Sequence, residues 1–165
     1  MEKVVLDLNT IISGSLFYGN EAEILTLLKE RRFRAFISKN MVARLSTALN
    51  YPHLAKYLHE TKPATILEKV LKDFEIVEDL QESLPFKLDE DDSTVLLCAV
   101  NQKANFLVTG DRKLLEIKNF KGVEIATSTV FLQKYNNILA GMEKFRGILK
   151  GCPPFVRDKR DRVFD

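Results

Sequence analysis

Three aspartates occupy positions that a cation-dependent reaction would use. Asp7 stands in VVLDLNT after an apolar run, Asp92 in LDEDDS ahead of a longer one, and Asp111 in FLVTGD, a Thr-Gly step beyond another apolar run. A carboxylate removed from water is costly unless something pairs with it. Two carboxylates ~4 Å apart repel by about 4 kcal/mol at an effective dielectric of about 20, so three sharing a pocket do not stay ionised together unaided. A hard divalent cation resolves the conflict, because Mg²⁺ and Mn²⁺ prefer oxygen ligands. Such an ion lowers the pKa of a bound water and polarises a phosphoryl oxygen, which suits phosphodiester hydrolysis. Asn9, Thr10, Ser13 and Thr109 are polar groups near enough in sequence to orient the carboxylates or a phosphate. Each aspartate also has a plainer reading. The acids of LDEDDS suit the start of a helix, TGD suits a simple turn, and Asp7 would be tolerated on an exposed edge strand.

The elements that must position these residues alternate between strand and helix. VVLDL (4–8) reads as a buried strand, EAEILTLLKERR (21–32) as a helix, and AFIS (35–38) as a short strand whose Ser38 caps a helix over KNMVARLSTALN (39–50). TILEKVLKDF (65–74) is amphipathic, and FEIVEDL (74–80) is a candidate third strand. LDEDDSTVLLCAVNQ (88–102) is expected to be helical from about Asp91, with apolar residues all round its axis, so it should be buried on most sides. Asp92 shares a face with Val95, Leu96 and Ala99 by the three-and-four spacing and therefore points at the core. NFLVTGD (105–111) predicts a strand and turn, KLLEI (113–117) a short helix, GVEIAT (122–127) a last strand and STVFLQKY (128–135) a closing helix. This alternation predicts an α/β fold, a sandwich with a mainly parallel central sheet, in which ligands gather at the carboxyl ends of the strands. Asp7 and Asp111 sit at such ends. Residues 1–135 are expected to form the domain, and 136–165 an appendage, packed outside or partly disordered.

Bulk properties limit the partners. With 165 residues, 45% hydrophobic and 29% charged, the chain has the profile of one ordinary soluble domain. A net charge of +2 does not by itself argue for a polyanion, so any such binding would come from local patches. Lys29, Arg31, Arg32 and Arg34 form one basic cluster, read either as a solvated face or as a contact to an RNA backbone. Cys98 and Cys152 have no metal-ligand spacing, which argues against zinc and for a reducing compartment. The opening MEKVVLDL enters a strand at once and VLLCAV is too short to span a bilayer, so the expectation is a cytoplasmic protein with no membrane partner. His53 and His59 are read as surface residues.

Taken together, LDLNTIISG (6–14), ISKNMVARLSTALNYP (37–52) and LDEDDSTVLLCAVNQKANFLVTGDRKLLEI (88–117) resemble the PIN domain, the metal-dependent ribonuclease fold of VapC-type toxins and RNA-processing nucleases. The similarity runs from about residue 3 to 135. It implies a three-layer α/β/α fold, Mg²⁺ or Mn²⁺ held by acids, RNA as substrate, an antitoxin protein as partner and a homodimer. Apolar residues Ile24, Leu25, Leu27 and Leu28 exceed one narrow stripe and fit such a dimer. By position, Asp7, Asp92 and Asp111 match family acids and are the expected catalytic and metal residues. Asn9, Ser13 and Thr109 match its polar supporting positions.

Two residues depart from the family pattern. Arg44 stands where the family places a glutamate, and Lys113 where it often has a second aspartate. Three outcomes follow for Arg44. It snorkels outward and leaves a weaker three-acid site, it pairs with Asp7 or Asp92 and displaces the metal, or it touches the RNA phosphate. The first and third leave an endoribonuclease with a weakened acidic site. The second leaves a catalytically silent domain that binds RNA or a protein. A phosphohydrolase of the haloacid dehalogenase type, suggested by DLNT and GDRKLLE, lacks the general acid that its mechanism needs, because Asn9 fills that position.

Overall fold

The computed structural model describes residues 1–58 and 61–150, with side chains as far as Lys144. In chain order the elements are β1 (Lys3–Leu6), α1 (Leu8–Leu16), α2 (Asn20–Lys29), β2 (Arg34–Ser38), α3 (Lys39–Leu49), a 3-10 helix (Pro52–Tyr57), α4 (Pro63–Asp73), β3 (Glu75–Val77), α5 (Glu90–Asn101), β4 (Phe106–Val108), α6 (Arg112–Ile117), β5 (Asn119–Phe120), β6 (Val123–Ala126) and α7 (Ser128–Lys150). The sheet order is β3-β2-β1-β4-β6-β5, parallel throughout except for β5 at one edge. The expected α/β architecture with a mainly parallel sheet is what forms.

β1 is central. Val4, Val5 and Leu6 are all fully buried, although successive strand residues face opposite sides of a sheet. Both faces must therefore be covered by helices, as parallel sheets require. α5 packs on β1, β2 and β4, and α7 on β4 and β6. Under α7 an aromatic cluster closes the core, with Phe131 in edge contact with Phe33 and Phe106 and stacked on Tyr135. The chain leaves β1 towards β2 on one side and later returns to β4 on the other. The reversal of strand order thus falls between β1 and β4, the place where such sheets open a crevice.

The first strand is shorter than its hydrophobic run suggests. Its pairing ends at Leu6, and Leu8 already begins α1. Asp7 belongs to both elements, since its N–H donates to the Val108 carbonyl (2.9 Å) while its own carbonyl accepts from Ile11 (3.1 Å). α1 was not legible in LNTIISGSL, where Asn, Thr, Ser and Gly are weak helix formers. Packing against α2 overrides propensity there. At the crossing stands Gly14, where a Cβ would lie 2.7 Å from the Glu21 carbonyl oxygen and 2.8 Å from Leu25 Cδ1.

α7 runs on to Lys150, past its expected end at Tyr135, so 136–150 continues a helix rather than beginning as irregular chain. Residues 151–165, with Cys152, and His59 lie outside the described residues. Cys98 is buried in α5, and burial pushes its thiol up to about 12, which leaves it unreactive. Among the described residues no helix is long and apolar enough to cross a membrane.

Candidate active site

At the carboxyl ends of β1 and β4 a cleft of about 420 Å³ opens, lined among others by Asp7, Asn9, Arg44, Tyr51, Asp89, Asp91, Asp92 and Asp111. Local folding explains each position. Asp7 is the junction of β1 and α1. Asp92 lies in the first turn of α5, whose N-cap is Asp89, with Asp89 Oδ1 accepting from the Asp92 N–H at 2.9 Å. Asp111 caps α6, its Oδ1 accepting from the Lys113 N–H at 2.8 Å. Three helix starts therefore face the cleft, and positive helix ends favour acids beside them.

Thr109 ties two of the acids together. Its hydroxyl donates to Asp7 Oδ2 at 2.7 Å and accepts from the Asp111 N–H at 3.0 Å. The side chain is itself buried, so its single proton is committed and the rotamers of Asp7 and the TGD turn are fixed relative to each other. Thr109, expected as a supporting residue, thus bridges the Asp7 side chain and the Asp111 backbone. Asn9 is exposed on the cleft wall, whereas Ser13, one turn further along α1, is not among the lining residues.

Asp92 is the unusual group. It is only 6% exposed, and its Oδ2 is buried with no hydrogen-bond partner among the described residues. Burial pushes its carboxyl up to about 6, and the charges of Asp111, Asp89 and Asp7 add to the effect. Asp7 is also raised by burial, although hydrogen bonds from Thr109 and the Leu8 backbone pull it back. The three acids therefore feel one another across one cleft. Below about pH 6 a proton on Asp92 relieves their repulsion, and above it the three negative charges face one another. The oxygens do not yet converge: among the described residues no group of three or more His, Cys, Asp or Glu side chains could hold a metal ion as it stands. Asp7 and Asp111 each commit one oxygen to a protein donor.

The two departures from the acidic pattern turn away from these three aspartates. Arg44 Nη2 pairs with Glu90 Oε1 at 2.9 Å, Nη1 pairs with Asp91, and Nε donates to Asn40 Oδ1 at 3.3 Å. Lys113 Nζ lies 3.8 Å from Asp89 Oδ2. The acids Asp89, Glu90 and Asp91 thus take up both cations. The alternative in which Arg44 fills the pocket against Asp7 or Asp92 is not the arrangement found. The partners of Arg44 are largely exposed, so solvent screens these pairs and leaves them weak.

Two members of the basic cluster near α2, Arg31 and Arg34, are engaged within the fold. Arg34 makes a two-point ion pair with Glu75, and Arg31 donates to the Lys72 and Asp73 carbonyls that end α4. Arg34 begins β2, so it lies at the opposite end of the parallel sheet from the cleft. Tyr51 is a cleft residue that the sequence reading passed over; its signal was an aromatic beside Pro52 at the end of the α3 pattern.

A family model for the PIN domain matches residues 3–113. Among solved structures, the crystal structure of VapBC2 from Rickettsia felis bound to a DNA fragment from their promoter is similar, at 18% identity and a TM-score of 0.53, covering 74% of this chain and 98% of that one. The crystal structure of PAE2754 from Pyrobaculum aerophilum is similar at 20% identity and a TM-score of 0.52, covering 82% and 96%. No curated protein matches the sequence.

Proposed function

The chain belongs to the PIN domain family, and from that membership we propose that it is a metal-dependent endoribonuclease whose acidic site is Asp7, Asp92 and Asp111. The observation that carries this reading is the buried, unpartnered Oδ2 of Asp92 in a cleft shared with the other two acids. An orphaned buried carboxylate oxygen is costly, and it has a ready use as a ligand. The donor set fits a hard divalent cation, being all carboxylate oxygen with no sulfur or imidazole. PIN domains generally use divalent metal ions. Asp7, Asp92 and Asp111 would hold Mg²⁺ or Mn²⁺, which when bound supplies charge neutralisation, an activated water and a polarised phosphoryl oxygen.

The chain's own residues do the rest. Thr109 holds Asp7 in one rotamer and the TGD turn beside it. Asp92, its carboxyl pushed up to about 6 by burial and neighbouring acids, gives up its proton more readily once a cation is bound, so metal binding around pH 6 should release a proton. Arg44, screened and weakly held at the rim, is placed to exchange Glu90 and Asp91 for a phosphate oxygen. With a cation at each of two family acid positions, the site is a weakened one.

By analogy with the VapBC2 structure, the chain acts as the toxin of a toxin–antitoxin pair, cytoplasmic and dimeric, with an antitoxin protein as partner. Half-buried Leu25 and Leu27 on α2 are consistent with a dimer contact. Titrating Mn²⁺ and Mg²⁺ against a panel of RNAs, with Asp7→Asn as control, tests the reading. Cleavage that needs metal and disappears in Asp7→Asn supports it; cleavage that survives in Asp7→Asn contradicts it. The second reading, a silent domain that binds RNA or protein, is favoured by the absence of a metal-ready ligand group among the described residues. It gains if Arg44→Glu with Lys113→Asp creates cleavage where the natural chain has none.

A further inference from the structure

We propose that Tyr51, His53 and Tyr57 form a stacking shelf that leads out of the acidic cleft and receives successive bases of single-stranded RNA. The proposal rests on the ribonucleic acid reading above and extends it to how the strand is held. Tyr51 lines the cleft itself and is 49% exposed. From it the 3-10 helix Pro52–Tyr57 runs away from the acids, spanning about 12 Å at ~2 Å per residue. α1 leaves Asp7 over a comparable length, about 13–14 Å at 1.5 Å per residue. The two segments meet at their far ends, where the Phe17 and Tyr57 rings touch edge to face at 4.9 Å. Phe17 thereby braces Tyr57 while both remain about half exposed. Along the way the His53 ring lies 5.9 Å from Tyr51 at a shallow 34°, and Lys56 Nζ sits 4.8 Å over Tyr57.

The chemistry of the patch selects the occupant. Among the described residues every exposed large aromatic, Phe17, Tyr18, Tyr51 and Tyr57, lies in or within two residues of these two segments, whereas the exposed aliphatics Leu71, Ile76, Leu80, Val130 and Ile138 lie elsewhere. Flat rings interleaved with a lysine and a histidine, continuous with a cleft that hydrolyses phosphodiesters, fit bases and their phosphates. A span of ~12 Å takes roughly three to four bases at 3.4 Å per step. Bases paired in a duplex are not available for such stacking, so the shelf selects single strands.

The test is fluorescence titration of the full chain, in EDTA, into an oligoribonucleotide carrying 2-aminopurine. Quenching is expected for the single strand and not for the duplex. Tyr51→Ala and Tyr57→Ala should each weaken binding by about tenfold or more, while Tyr51→Phe and Tyr57→Phe keep it. Circular dichroism checks that each variant folds, and the exposed ring of Tyr51 makes that variant decisive if Tyr57→Ala does not fold. Unchanged quenching in folded Tyr51→Ala, or equal binding of duplex, overturns the proposal. So does a change in sedimentation of the alanine variants with RNA binding intact, which would make the rings a protein contact. Metal-dependent cleavage that continues with no stacking sinks the shelf and leaves the nuclease. Ring-dependent quenching in a chain that never cleaves supports the shelf and sinks the nuclease.

Discussion

Asp92 determines how this site responds to its surroundings. Its carboxyl sits at about 6 when folded against an ordinary value of 3.8. Between those values the folded chain retains a proton that the unfolded chain has lost, so metal-free stability falls as pH rises through that window and stays lower above it. Asp92→Asn should therefore stabilise the metal-free protein at pH 7–8, by on the order of 2 kcal/mol, while abolishing cleavage. Denaturant melts at both ends of the window check the sign. Thr109→Val keeps the shape but removes both hydrogen bonds of the hydroxyl. A loss of roughly 1–3 kcal/mol and a fall in RNA cleavage are expected from the same melts and assays. That Asp7, Asp92 and Asp111 line one cleft was legible, because two of them close apolar runs and the third opens a helix expected to be buried. The destinations of Arg44 and Lys113 were not, since they depend on the exposed Asp89, Glu90 and Asp91, which sequence alone assigned to helix capping.

At the scale of elements the outcome turns on α1, which carries Asn9 and is joined to β1 by Asp7. Gly14 allows α1 to cross α2 closely, and Gly14→Ala would drive a methyl into the Glu21 backbone. About 1–3 kcal/mol of destabilisation follows from such overpacking. Gly110, by contrast, has open space about it and no positive φ, so Gly110→Ala should change stability by less than ~0.5 kcal/mol. Thermal melts of the pair would contradict this account if Gly110→Ala proved the more damaging. TGD reads as a simple turn, while nothing in IISG marks Gly14, because turn propensity is local and helix crossing is not. The buried runs of α5 and β4 were legible for the opposite reason, their patterns being set by burial on every side. The short β5 (Asn119–Phe120) had no pattern long enough to read.

For the molecule as a whole, strand order decides function. The chain leaves β1 and β4 towards opposite sides of the sheet, and the acids at the ends of these paired strands meet there although they are far apart in sequence. Alternation of elements made the α/β class legible; the helical continuation of 136–150 was not, because past Tyr135 the core-facing stripe thins to Leu139 while Ile138 and Met142 stay exposed. A ligand that binds only the folded state stabilises it, by about 3 kcal/mol at a hundredfold excess over Kd. Divalent metal should therefore raise the melting temperature of the natural chain and leave that of Asp92→Asn unmoved. The most direct measurement is calorimetric titration of Mn²⁺ near pH 6 in buffers of different ionisation enthalpy. A saturable site that releases a proton from the natural chain, and is lost in Asp92→Asn, is the predicted result. Absence of binding, or binding that Asp92→Asn leaves intact, would contradict the claim that these three carboxylates form a metal site.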